Sequence, residues 1–166
     1  MSFIGENLSV DGNYALSSLT GLDNVTSIGG NLFIGGSGAL TNLTGLGNVT
    51  IIGGKITIYN TNNLMSLSGL NSLTYIIGDV EIKYNDALTS LTGLDNVTSI
   101  GGSFNIDANH INSMTGLENL TSIGGDLIVG GNYGCYNLTS LTGLENLTSI
   151  VGALNFKYND NLISLT

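Results

Sequence analysis

The stretch LTSLTGLDNVTSIGG at residues 88–102 returns almost unchanged as LTSLTGLENLTSIVG at 138–152, with looser copies before and between. A Thr-Gly step, once Ser-Gly, marks the phase at Thr20, Thr44, Ser68, Thr92, Thr115 and Thr142, and Thr166 falls in the same phase, so successive intervals are 24, 24, 24, 23, 27 and 24. A fixed period of this length means a stack of equal units, because each buries its apolar face only against its neighbours. No composition shift marks a linker, so residues 1–166 read as one repeat domain.

Two kinds of segment alternate within each unit. The first is apolar at every second residue, at Leu8/Val10, Leu32/Ile34, Ile56/Ile58, Val80/Ile82, Phe104/Ile106, Leu127/Val129 and Leu154/Phe156, the signature of a strand with one buried face. The second is apolar at every third residue, as in Leu88, Leu91, Leu94, Val97 and Ile100. That spacing suits an extended or turn-like arm around a narrow core, and its Thr, Ser, Asn and Gly are poor helix formers.

Small and polar residues mark the corners. Gly30, Gly54, Gly78, Gly102, Gly125 and Gly152 each precede a strand by two residues, where a residue without Cβ permits a sharp bend. After the strands stand Asn13, Asn85, Asn109, Asn132 and Asn159, with Ser37 and Thr61 in the remaining units, and a second column holds Asn24, Asn48, Ser72, Asn96, Asn119 and Asn146. Stacked Asn side chains bond the free backbone groups of an adjacent coil. The expected fold is all-β, a single parallel β-solenoid of about seven 24-residue coils without clear end caps, its strands spaced roughly 4.8 Å apart.

The pattern L-x-x-I-x-G-x-L-x-I-x-x-N-x-x-L-x-x-L-x-G-L, carried with one deletion by Val97–Leu117, resembles the right-handed parallel β-helix of receptor L domains, relatives of the leucine-rich repeats. It is also similar to repeats of secreted surface proteins of Bacteroidetes-type bacteria. The resemblance spans about residues 3–166 and implies a right-handed coil and recognition or adhesion without catalysis, outside the cell or on its surface. Receptor L domains carry disulfides and end caps that this pattern does not show.

Composition narrows the partners. Three Lys and Arg against twelve Asp and Glu give a net charge of −9, which excludes a phosphate-backbone groove and disfavours an anionic membrane. No apolar run reaches membrane-spanning length, and the start MSFIGENLSV has neither the basic nor the apolar region of a signal peptide, so the chain reads as a piece of a longer exported protein. One cysteine, Cys135, allows no internal disulfide and reads as a small loop or semi-buried residue rather than a reactive or metal-binding thiol.

Catalytic and metal signals are thin. His110 lies near Asp107 in a shortened unit and reads as a solvent-facing loop residue rather than a base with its orienting acid. Asp79, Glu81 and Asp107 form a column able to face Ca²⁺, yet the glycine-rich calcium repeat is absent, so no metal or cofactor is expected. The eight N-x-S/T sequons follow from the repeated NVT and NLT, and glycosylation is not expected.

The outward strand positions change from rung to rung: Phe33, then Thr57 and Tyr59, Glu81 and Lys83, Asn105 and Asp107, Ile128, and Asn155 and Lys157. Variation on one face of a regular stack points to a binding surface for a protein or glycan, with Phe33, Tyr59 and Ile128 as exposed anchors. Two alternatives accompany it. Open ends stack copies end to end in a self-assembling array, and the Thr26, Thr50, Thr74, Thr98, Thr121 and Thr148 ladder resembles the flat face of β-helical ice-binding proteins.

Overall fold

The computed structural model describes residues 2–165, so Thr166, expected in phase with the repeat, lies outside the described residues. Seven parallel strands form one continuous sheet: β2 (Leu8–Asp11), β4 (Leu32–Gly35), β6 (Ile56–Tyr59), β8 (Val80–Asn85), β10 (Phe104–Asn109), β12 (Leu127–Val129) and β14 (Leu154–Phe156). Seven strands bound six complete turns, one fewer than the expected coil count. The second arm is turn-like, touching its neighbours through two-residue strands: β1 (Phe3–Ile4), β3 (Ser27–Ile28) and β5 (Ile51–Ile52) in one sheet, and β7 (Tyr75–Ile76), β9 (Ser99–Ile100), β11 (Ser122–Ile123) and β13 (Ser149–Ile150) in another.

The register follows the repeat, with Ile56 beside Val80 and Val80 beside Phe104. Each alternating strand therefore drops one apolar column inward, and each third-residue Leu drops another. Leu32, Ile56, Ile82, Phe104, Leu67, Leu91 and Leu117 lie in one continuous core closed to solvent.

Both Asn columns act as ladders. Asn109 Oδ1 accepts the Asn85 backbone amide at 3.1 Å, and Asn85 Oδ1 accepts that of Thr61 at 3.0 Å. The outer column reaches the other way, with Asn48, Asn96, Asn119 and Asn146 donating to the carbonyls of Asp23, Asn71, Asp95 and Glu118 in the preceding coil. Asn132 does not occupy its expected rung. Its coil carries an insertion, Cys135 pairs with Asn109 instead, and Asn159 Oδ1 holds the Cys135 amide at 2.9 Å.

The expected glycine corner also changes place. Positive φ falls instead at the Thr-Gly step, as at Gly93 with φ 118°, and at the corner after each long strand. Gly102 is needed for a different reason, because a Cβ there would lie 2.7 Å from the Asp79 nitrogen of the coil beneath. Gly93 combines both demands, since its Cβ would also meet the Ser68 nitrogen at 2.8 Å. Gly93→Ala should therefore cost about 2 kcal/mol or more in thermal unfolding, whereas Gly38→Ala, with open space around its Cβ, should stay within about 0.5 kcal/mol.

Candidate functional site

Register brings the variable strand-face residues into contiguous columns, but many are occupied with each other. Phe33 stands beside Thr57, Thr57 beside Glu81, Glu81 beside Asn105, and Ile128 between Asn105 and Asn155. Phe33 is half-buried, with its ring lying over Gly35. Glu81 holds Lys55 at 2.6 Å and Lys83 at 3.1 Å, so the central charges neutralise one another. Burial raises the Glu81 carboxyl, but the two lysines outweigh it and the net direction is below its ordinary value. Tyr59 and Lys157 remain exposed.

Asp107 does not project from this face. It is 2% exposed, because the insertion after β12 folds over it and presents three backbone amides: Asn132 at 3.0 Å, Tyr133 at 3.1 Å and Gly134 at 2.9 Å. Burial alone would raise its carboxyl, yet the amides prevail and hold it below the ordinary value. It is thus the anchor of the loop, not a partner of His110, whose ring instead lies 5.0 Å from that of Tyr136.

The same use of carboxylates recurs throughout. Asp23, Asp95, Glu118 and Glu145 accept the amide of the Thr-Gly glycine two residues earlier. Asp79 and Asp126 accept the amides of Ser103 and Ala153 in the next coil. Much of the acidity thus caps backbone. The column of Asp79, Glu81 and Asp107 is spent on Ser103, on lysines and on the loop, and among the described residues no three His, Cys, Asp or Glu gather as metal ligands.

The Thr ladder is likewise engaged. Thr50, Thr98, Thr121 and Thr148 donate their hydroxyls to the carbonyls of Thr26, Thr74, Thr98 and Thr121 at 2.9–3.2 Å. The side chains are exposed, but these protons point along the stack into the preceding coil. The sheet beside them also breaks between β5 and β7, where Ile51 and Tyr75 replace Ser.

The most distinctive surface is the corner immediately after the long strands. In every coil this position has a left-handed backbone: Gly12, Gly36, Asn60, Tyr84, Ala108, Gly134 and Tyr158. Glycine suits it, and a bulky residue there costs on the order of 1 kcal/mol. Two tyrosines nonetheless occupy it, Tyr84 at φ 58° and Tyr158 at φ 56°. Tyr59 packs edge-on against Tyr84 at 5.3 Å, and Tyr84 against Tyr133 at 5.6 Å. Further along, Tyr133, Tyr136 and Tyr158 line a cleft of about 400 Å³ with Asn132, Asp160 and Asn161.

Five of the seven tyrosines, Tyr59, Tyr84, Tyr133, Tyr136 and Tyr158, thus share one corner. Only Tyr59 was expected from the alternating pattern. The available signal was the adjacent column, in which Tyr stands where sister coils carry Gly. A larger hollow, about 520 Å³ and lined by Leu127, Leu144, Leu147, Ile150 and Phe156, is the open end of the apolar core.

The receptor L domain family model matches residues 4–84 and again 74–166. The chain belongs to the receptor L domain family. The two matches overlap across β8, and the long sheet of this L domain runs unbroken through that region. No curated protein and no solved structure gives a match. Receptor L domains as a family are extracellular ligand-binding modules without catalytic activity. Among the described residues no helix is long and apolar enough to cross a membrane.

Two outcomes follow from this geometry. Because Asp107 titrates below its ordinary value, its stabilisation is complete above the unfolded carboxylate pKa near ~4 and is lost as pH falls through the folded pKa. Asp107→Asn should remove that part of the acid destabilisation and loosen residues 131–134, read by thermal unfolding from pH 2 to 7 and by amide exchange. Cys135 is closed to solvent, and burial together with Asp107 pushes its thiol up to about 12. It should therefore resist a thiol reagent at pH 8 until the chain unfolds.

Proposed function

We propose that this L domain is a non-catalytic recognition module, acting as one unit outside the cell or at its surface, and that it grips a macromolecular ligand at the tyrosine corner and the strand face beside it. The observation that carries this reading is the placement of two bulky side chains, Tyr84 and Tyr158, at left-handed positions that the other coils give to Gly, Asn or Ala. The backbone is strained by that choice, while an interface gains rigid aromatic anchors with a polar tip. Phe33, Thr57, Tyr59, Glu81, Lys83, Asn105, Ile128, Asn155 and Lys157 supply the flanking face, with Asp107 beneath holding the loop.

The test is a binding screen of the chain against arrayed extracellular protein domains and glycans, with a variant carrying Tyr59→Ser, Tyr84→Gly and Tyr133→Ser. Ligands retained by the parent should be lost by the variant while both melt within a few degrees of each other. Equal retention by the two proteins would contradict the reading.

A second reading rests on the last coil. Its apolar hollow has the lining that a further coil of the same repeat covers elsewhere in the stack, and Leu154 and Leu165 stand more than half exposed beside it. A second copy of the chain is one group whose own repeat would match that lining, and stacking of copies is the second reading. In sedimentation velocity over a hundredfold concentration range, growing species that vanish on Leu154→Lys would support stacking, and a constant monomer would refute it.

A further inference from the structure

The cleft at the far end of the tyrosine corner has a chemistry that narrows the ligand. Its walls are formed by Tyr133, Tyr136 and Tyr158 together with the polar residues Asn132, Asp160 and Asn161. Among the described residues, no Lys, Arg or His side chain lines it. The chain as a whole carries −9, and most of its carboxylates are already committed to backbone amides or lysines. Asp160 is not: it is exposed and, among the described residues, takes no amide or lysine of the protein. Asn161 spends its amide on the Tyr136 carbonyl at 2.7 Å, which ties the two sides of the cleft together.

Ring faces beside an uncommitted carboxylate, in an acidic molecule, form an environment for an organic cation. Beside the cleft, Tyr59, Tyr84 and Tyr133 cross successively at 72° and 65°, so the ring that Tyr133 brings to the cleft is braced edge-on by its neighbour rather than stacked flat on it. A long side chain suits such walls, because its methylene stem runs along the rings while its charged head reaches the carboxylate.

We propose that this cleft seats a lysine or arginine side chain of a partner protein, so that the module recognises a basic segment. The proposal rests on the recognition reading above and gives it a ligand class. Charge complementarity selects the occupant: the aromatic walls and Asp160 attract a cation, and no basic lining residue competes with it. Tyr158 contributes a ring face at a position where the backbone prefers glycine, so removing its ring separates binding from folding.

The experiment is a titration of the full ¹⁵N-labelled chain with acetyl-tetralysine-amide, with the same peptide acetylated on every side-chain amine, and with maltohexaose. The charged peptide should shift the amides of residues 131–136 and 158–161, and the acetylated peptide should not. Tyr158→Gly should weaken binding about fivefold while melting no lower than the parent, because the lost ring is largely exposed and the backbone relaxes. Asp160→Asn should weaken binding and flatten its dependence on salt, with the fold intact.

Equal binding of the charged and acetylated peptides would overturn the proposal. So would shifts scattered over other acidic surfaces that Tyr158→Gly leaves unchanged. If maltohexaose alone moves these amides, the basic-segment assignment falls while the corner stands as a recognition surface. If none of the three probes reaches the corner and the array ligands also ignore the tyrosine variant, both readings fall.

Discussion

Everything in this molecule depends on one coil lying in register on the next at main-chain distance. Parallel pairing of the long strands fixes the spacing, and the remaining backbone groups of each coil must then find partners at the corners, where no sheet reaches. Side chains supply them. Asn85, Asn109 and Asn159 hold amides of the preceding coil, Asn48, Asn96, Asn119 and Asn146 hold carbonyls, and Asp79 and Asp126 hold amides of the coil that follows. The glycines are the steric side of the same constraint, since the backbones approach too closely for a Cβ. Repetition is thus a requirement of stacking, because a ladder works only when side chains able to bond the adjacent coil recur at the same position.

The places where the repeat is broken carry the distinctive surface. One residue is missing near His110, and three extra residues lie between Val129 and Cys135. The insertion cannot follow the strand, so it bulges outward over Asp107, whose carboxylate supplies acceptors that the interrupted ladder lacks. The bulge brings Tyr133 and Tyr136 up to Tyr84 and Tyr158, which come from regular coils. A regular scaffold with one local irregularity is a common way to place binding groups on rigid support.

Much of this was legible in the residues because a period projects columns without any knowledge of contacts. The strands, the parallel stack and both Asn ladders follow from recurrence alone. What escaped depended on neighbours in the adjacent coil, 23 or more residues away along the chain. The glycine before each strand read as a bend, whereas its absent Cβ makes room for the adjacent coil, and positive φ lies at the Thr-Gly step and after the long strands. Asp107 read as outward by extending the alternation, which holds until the insertion covers it. Tyr84 and Tyr158 escaped because each is a lone substitution in a corner column of Gly, Asn and Ala, where only the backbone angle reveals that a large side chain is out of place.

The central claim is that the tyrosine corner is held rigidly by side-chain oxygens, so residue-resolved amide exchange is its most direct test. The amides of Thr61, Asn85 and Cys135, bound by Asn85, Asn109 and Asn159, and those of residues 132–134, bound by Asp107, should exchange as slowly as the amides of Ile82 in β8 and Ile106 in β10. Slow strands with fast exchange at these six positions would show a corner that is not preformed, and the account built on it would fail.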